Sequence, residues 1–142
     1  MADAKSSEVI SWLEKALQDL QATRRLLEGS FPLTDIASFH AQQAAEKAIK
    51  AYLTSHDIVF PKTHSLVALI ALCLEINDEF NVLRRAAITL TPYAVASRYP
   101  GNVAKLSLED AKTAYALAKD VWRFVLNELP HEIIEQFIRV MD

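Results

Sequence analysis

The stretch FHAQQAAEKAIKAYL, Phe39 to Leu53, decides how this chain folds. Ala41, Ala44, Ala45, Ala48 and Ala51 spread over one side of a helix, and Phe39, Ile49 and Leu53 fill most of the opposite side. A helix that is apolar on two sides is buried on two sides. The small alanines allow close helix approach, so the pattern predicts a central helix, with a subunit interface nearby. His40, Gln43, Lys47 and Lys50 share the remaining strip, within roughly a quarter of the circumference at ~100° per residue.

Working outward, the predicted helix runs from Thr34 or Asp35 to Ser55. Before it, Ser6 or Ser7 is placed to cap a first helix. Ile10, Leu13, Leu17, Leu20 and Leu27 form its apolar stripe, Arg24 interrupts that stripe, and Gly29 and Pro32 end the helix. After it, HDIVFPKTHS is a loop, and Thr63 or Ser65 caps a third helix through LVALIALCLEI. Asn77 or Asp78 caps a fourth helix to about Leu90. Pro92 cannot continue that helix, so Thr91 is predicted to be an N-cap and Pro92 the first residue of a short helix. That helix holds Tyr93 to Arg98 and stops at Pro100-Gly101. Ser107 and Asp110 resemble a capping box before a long helix striped by Ala111, Tyr115, Ala118, Trp122, Val125 and Leu129. Pro130 opens a last short helix, HEIIEQFIRVMD.

The composition agrees with this reading. Of 142 residues, 51% are hydrophobic and only two are glycine, which argues against a strand-rich fold with many turns. The expected class is all-α, an up-and-down bundle of about five to six helices around a four-helix core. One domain is expected over residues 1–142, with its core about 7–129 and a short C-terminal helix at 130–142. The formal charge of -3 excludes a generic nucleic-acid binder and leaves only a local basic groove. The first residues lack the apolar core of a signal peptide, and the longest apolar run, Leu66 to Leu74, is far short of the ~18 residues that span a bilayer. A cytoplasmic protein without a membrane segment is the expectation.

The chemistry-bearing residues narrow the function further. The two Glu-x-x-His motifs that a di-iron bundle needs are not both present, and HEIIE at His131 to Glu135 lacks the second histidine of a zincin, so no metal or other cofactor is expected. Cys73, the single cysteine, lies in an apolar helical run and reads as a small buried hydrophobe. Two isolated glycines cannot build a phosphate loop. His64, in KTHSL, is either an anion-binding group at a helix start with Lys62 beside it, or a boundary histidine that bonds the backbone. The strip His40, Gln43, Lys47 and Lys50 is either ligand-facing or a solvated face, with Glu46 able to pair with Lys50. Arg98 is either a phosphate-binding guanidinium or a helix-terminal cation favoured by the macrodipole.

Three stretches in order, FHAQQAAEKAIKAYL, PKTHSLVALI (Pro61 to Ile70) and SRYPG (Ser97 to Gly101), resemble the HEPN domain family, and WLEKALQDLQATRRLL (Trp12 to Leu27) is similar to its first helix. The resemblance covers the chain up to about Leu129. It implies a helical bundle, usually a homodimer, often encoded beside a minimal nucleotidyltransferase in toxin–antitoxin modules. In the toxin branch it implies a metal-independent RNase whose signature is an arginine followed, four to six residues later, by a histidine. Arg98 matches the arginine, but Tyr99, Pro100, Gly101, Asn102, Val103, Ala104 and Lys105 contain no histidine.

The expected function is therefore binding: a homodimeric partner of a minimal nucleotidyltransferase that holds nucleotide or RNA phosphates. Arg98 would contact phosphate, Tyr93 and Tyr99 would stack on a base or order the guanidinium, and His40, Lys47, Lys50 and His64 would contribute. One alternative is an RNase using Arg98 with His64 or His40. A second alternative is a purely structural interaction module.

Overall fold

The computed structural model describes residues 3–95, 100 and 105–138, so Arg98 and Tyr99 lie outside the described residues. The described chain is all-helical: α1 Ala4–Leu27, α2 Thr34–Ser55, α3 Leu66–Leu74, α4 Arg84–Leu90, α5 Leu108–Asn127 and α6 His131–Ile134, with 3-10 helices at Asp78–Leu83 and Thr91–Ala94. No strand occurs among the described residues.

Helix α2 is central, as its two apolar sides require. It packs along α1 and α5 and touches α3, α4 and the 91–94 helix. Ala41, Ala44, Ala45, Ala48 and Ala51 are all buried, and so are Ile49 and Leu53. Both apolar sides are thus covered within one chain, so α2 needs no second copy to bury them. The buried face of α1 is Val9, Leu13, Ala16, Leu20 and Thr23, with Ile10 and Leu17 at its margin. Helix α5 supplies Ala114, Ala118, Val121, Trp122 and Val125. Phe80 sits between Tyr52 and Phe124, with ring centroids 4.4 and 4.8 Å away. Past α5, Ile133 and Phe137 join the same core, with Phe137 edge-on to Trp122.

Helix ends account for most departures from the expected boundaries. Helix α1 begins before Ser6 and Ser7, because the Asp3 carboxylate accepts the Ser6 amide at 2.7 Å and caps it instead. Ser65 caps α3 by accepting from Ala68, and α3 ends at Leu74 rather than continuing through Ile76. Asn77 does cap the next segment, but residues 78–83 are 3-10 and only 84–90 are α-helical. The last helix stops at Ile134 and continues as a turn.

Around Pro92 the chain is 3-10 rather than α-helical over Thr91–Ala94; the rest of the expected helix, from residue 96 to Arg98, lies outside the described residues. Thr91 does not cap the 3-10 helix. Its hydroxyl donates back to the Ala87 carbonyl at 2.6 Å and accepts the Leu66 amide at 3.1 Å. Ser107 caps α5 by accepting the Asp110 amide. Gly29, with φ of 87°, makes the left-handed turn after α1 that a β-carbon would strain. Asp57, with φ of 57°, does the same after α2. There Ile58 donates to Leu53 and Asp57 to Thr54, the paired closure of a Schellman motif.

Candidate functional site

The polar strip on α2 is held by two carboxylates, each gripping one lysine and one histidine. The first is Asp19 of α1, with its side chain 10% exposed. Its Oδ1 lies 2.8 Å from His40 Nδ1 and its Oδ2 accepts from Lys47 Nζ at 2.6 Å. His40 and Lys47 are two turns apart on α2, so one short acid on α1 reaches both.

The second carboxylate is Glu46, itself on α2 and 3% exposed. Its Oε2 accepts from Lys50 Nζ at 2.9 Å, the i,i+4 pair expected from the spacing. Its Oε1 accepts from Gln42 Nε2 at 3.1 Å and lies 3.0 Å from His64 Nδ1. Burial alone would push the Glu46 carboxyl up; the hydrogen bonds from Lys50, His64 and Gln42 outweigh it and hold the carboxyl below its ordinary value. Glu46 is therefore an ionised, buried acceptor. Lys50 also sits 5.5 Å from the Trp12 ring centroid and 5.4 Å from that of Phe60, so its charge is shared between carboxylate and aromatic faces.

Gln42 is fully buried and ties the second cluster to the loop before α3. Its amide nitrogen also donates to the His64 carbonyl at 2.9 Å, and its oxygen accepts from Gln43 at 2.7 Å. Both groups facing the nitrogen are pure acceptors, which fixes the amide orientation. His64 is thus held at its ring and at its backbone, while its side chain remains 54% exposed. Two residues on, the Leu66 amide reaches Thr91. Tyr93, two residues beyond Thr91, is partly buried, and burial followed by the charge of Asp110 raises its hydroxyl above the ordinary value.

The predicted residues therefore divide into groups. Lys50 and His64 meet at Glu46; His40 and Lys47 meet at Asp19. Tyr93 lies in the 91–94 helix, whose first residue bonds the start of α3. At the far end of the segment containing Arg98, Leu106 donates to the Asp35 carboxylate and accepts from the Thr34 hydroxyl. The described residues on either side of that segment are thus the 91–94 helix and Leu106, which is bonded to the N-terminus of α2. Sequence reasoning missed Asp19 and Gln42. A signal existed for Asp19: it falls on the buried stripe of α1 between Ala16 and Thr23, where an acid needs a partner.

Cys73 is fully buried, and burial pushes its thiol up to about 12. No helix among the described residues is long and apolar enough to cross a membrane.

The fold defines the class of protein, an all-helical bundle. The chain belongs to the HEPN family: the HEPN domain model matches residues 9–129. The crystal structure of TT1696 from Thermus thermophilus is similar at 31% identity and a TM-score of 0.75, covering 86% of this chain and 98% of that one. ST0689, described as an archaeal HEPN homologue, shares the fold at 24% identity and a TM-score of 0.67, covering 85% of this chain and 97% of its own. No curated protein matches the chain.

Proposed function

We propose that this HEPN protein binds nucleotide or RNA phosphates as a homodimeric partner of a minimal nucleotidyltransferase, in a module of the toxin–antitoxin type. The observation that supports this reading is convergence. Gln42 and Glu46 of α2 bond His64, and Leu66, two residues on, bonds Thr91, at the start of the stretch that leads to Arg98. Three stretches far apart in sequence thus adjoin, and each brings cationic or aromatic groups suited to phosphate and base. Arg98 is the principal phosphate contact, with Tyr99 and Tyr93 beside the base. His64 contributes from the start of α3, with His40, Lys47 and Lys50 on the adjoining strip of α2. Because Lys47 and Lys50 are already paired with carboxylates, their charge is largely offset and they are secondary to Arg98 and His64 as ligands.

Calorimetry with AMP, ATP and a short single-stranded RNA tests this, together with co-purification of a nucleotidyltransferase encoded by the adjacent gene. Binding weakened in Arg98→Ala is expected. No heat with any of the three ligands would leave a purely structural module. Metal-independent cleavage of RNA, lost in Arg98→Ala, would replace the reading with a ribonuclease.

A further inference from the structure

His64 is an exposed side chain fixed by buried ones. An ionised carboxylate only accepts, so the bond to Glu46 places a proton on Nδ1 and turns the opposite edge of the ring, with Nε2, away from α2. Gln42 holds the His64 carbonyl as well, so the ring cannot swing with its backbone. A surface ion pair adds little to stability, and a buried carboxylate carries a desolvation cost that an apolar residue would not. The arrangement makes physical sense if the orientation of His64 matters.

We propose that Glu46 and Gln42 are positioning residues that aim His64 Nε2, as an imidazolium N–H, at a phosphate oxygen of the bound nucleotide or RNA. This rests on the phosphate-binding reading and gives it a specific contact. The charged groups around the ring are Glu46 and Lys50 from α2, with exposed Lys62 two residues upstream. Glu46 and Lys50 neutralise each other, so a protonated His64 leaves the cluster with one net positive charge facing the ligand. Lys50 is drawn toward Trp12 and Phe60, which leaves the anion contact to His64.

The test measures binding of a short single-stranded RNA between pH 8 and pH 5.5, where the charge of a phosphodiester is constant. Wild type is expected to bind about tenfold more tightly at the lower pH, the scale of one charge-assisted hydrogen bond. His64→Gln should lose that increment although His40, His56 and His131 are unchanged. Glu46→Gln should shrink it and shift the His64 ring toward the Nε2–H tautomer, read by nitrogen-15 imidazole spectra. His64 is exposed, so His64→Gln keeps the test valid even where Glu46→Gln unfolds. If wild type binds and His64→Gln matches it in affinity and pH response, this inference falls and the phosphate-binding reading stands. If wild type binds neither RNA nor AMP, both fall. Competition by AMP, lost in His64→Gln, would identify a mononucleotide as the source of the phosphate; RNA binding without such competition would identify the polymer, and either upholds the contact.

Discussion

His64 Nδ1 lies 3.0 Å from Glu46 Oε1, eighteen residues away in sequence, and the same oxygen accepts from Gln42. One buried carboxylate therefore joins the central helix to the start of α3, and through Leu66 and Thr91 to the chain that leads toward Arg98.

That carboxylate makes the fold acid-sensitive. Glu46 titrates below its ordinary value in the folded chain, so as pH falls the unfolded chain takes up the proton first. The stabilisation is complete above the ordinary glutamate value and disappears as pH falls through the folded value. Denaturant unfolding at pH 7 and pH 4 should show a loss of stability in wild type that is smaller in Glu46→Gln. Glu46→Ala should cost about 3 kcal/mol at pH 7, because Lys50 and Gln42 lose their acceptor. Equal acid sensitivity in wild type and Glu46→Gln would refute this assignment.

Asp19 should behave as a tie between α1 and α2. A double-mutant cycle on Asp19→Ala and His40→Ala should return a coupling of about 1 kcal/mol, since the pair is mostly shielded from solvent. Strictly additive effects would show that the contact contributes nothing.

The end of α2 offers a backbone test. Asp57 has a left-handed φ of 57° and a surface contact with Lys5 at 3.0 Å. Asp57→Val should cost about 1–2 kcal/mol through backbone strain, whereas Asp57→Gly should be close to neutral. Thermal unfolding of the two variants gives the comparison, and equal losses would assign the effect to the ion pair.

Cys73 should be inert. With its thiol buried and raised to about 12, it should not react with a thiol reagent at pH 8 until the chain unfolds in guanidinium. Rapid labelling of the native protein would contradict its burial.

The proposed homodimer would need surfaces other than the two apolar sides of α2. The α2 sides face α1 and α5, while Val67 and Ile88 remain exposed beside a groove lined by Ile70, Ala71, Leu74 and Ala87. Light scattering should give about twice the chain mass of 15.9 kDa; a value near 15.9 kDa itself would refute the dimer.

Much of this protein is settled by local sequence. The span of α2, its two buried sides, the Ser65 and Ser107 caps and the Glu46–Lys50 pair follow from periodicity and from spacings within one or two turns. Helices obey such rules because their side-chain neighbours lie three and four residues apart. The long-range partners of the polar strip did not follow. Asp19 reaches His40 and Lys47 across 21 and 28 residues, and Thr91 meets Leu66 across 25. Those contacts exist only once α1, α2 and α3 have packed. The exact helix ends also depended on tertiary context, as the 3-10 stretch before Arg84 and the cross-chain role of Thr91 show. Sequence alone established a bundle with one cationic strip. Packing decided that the strip is paired with two buried acids, because only the folded chain places a distant carboxylate within hydrogen-bond reach of its histidine, at 2.8 Å for His40 and 3.0 Å for His64.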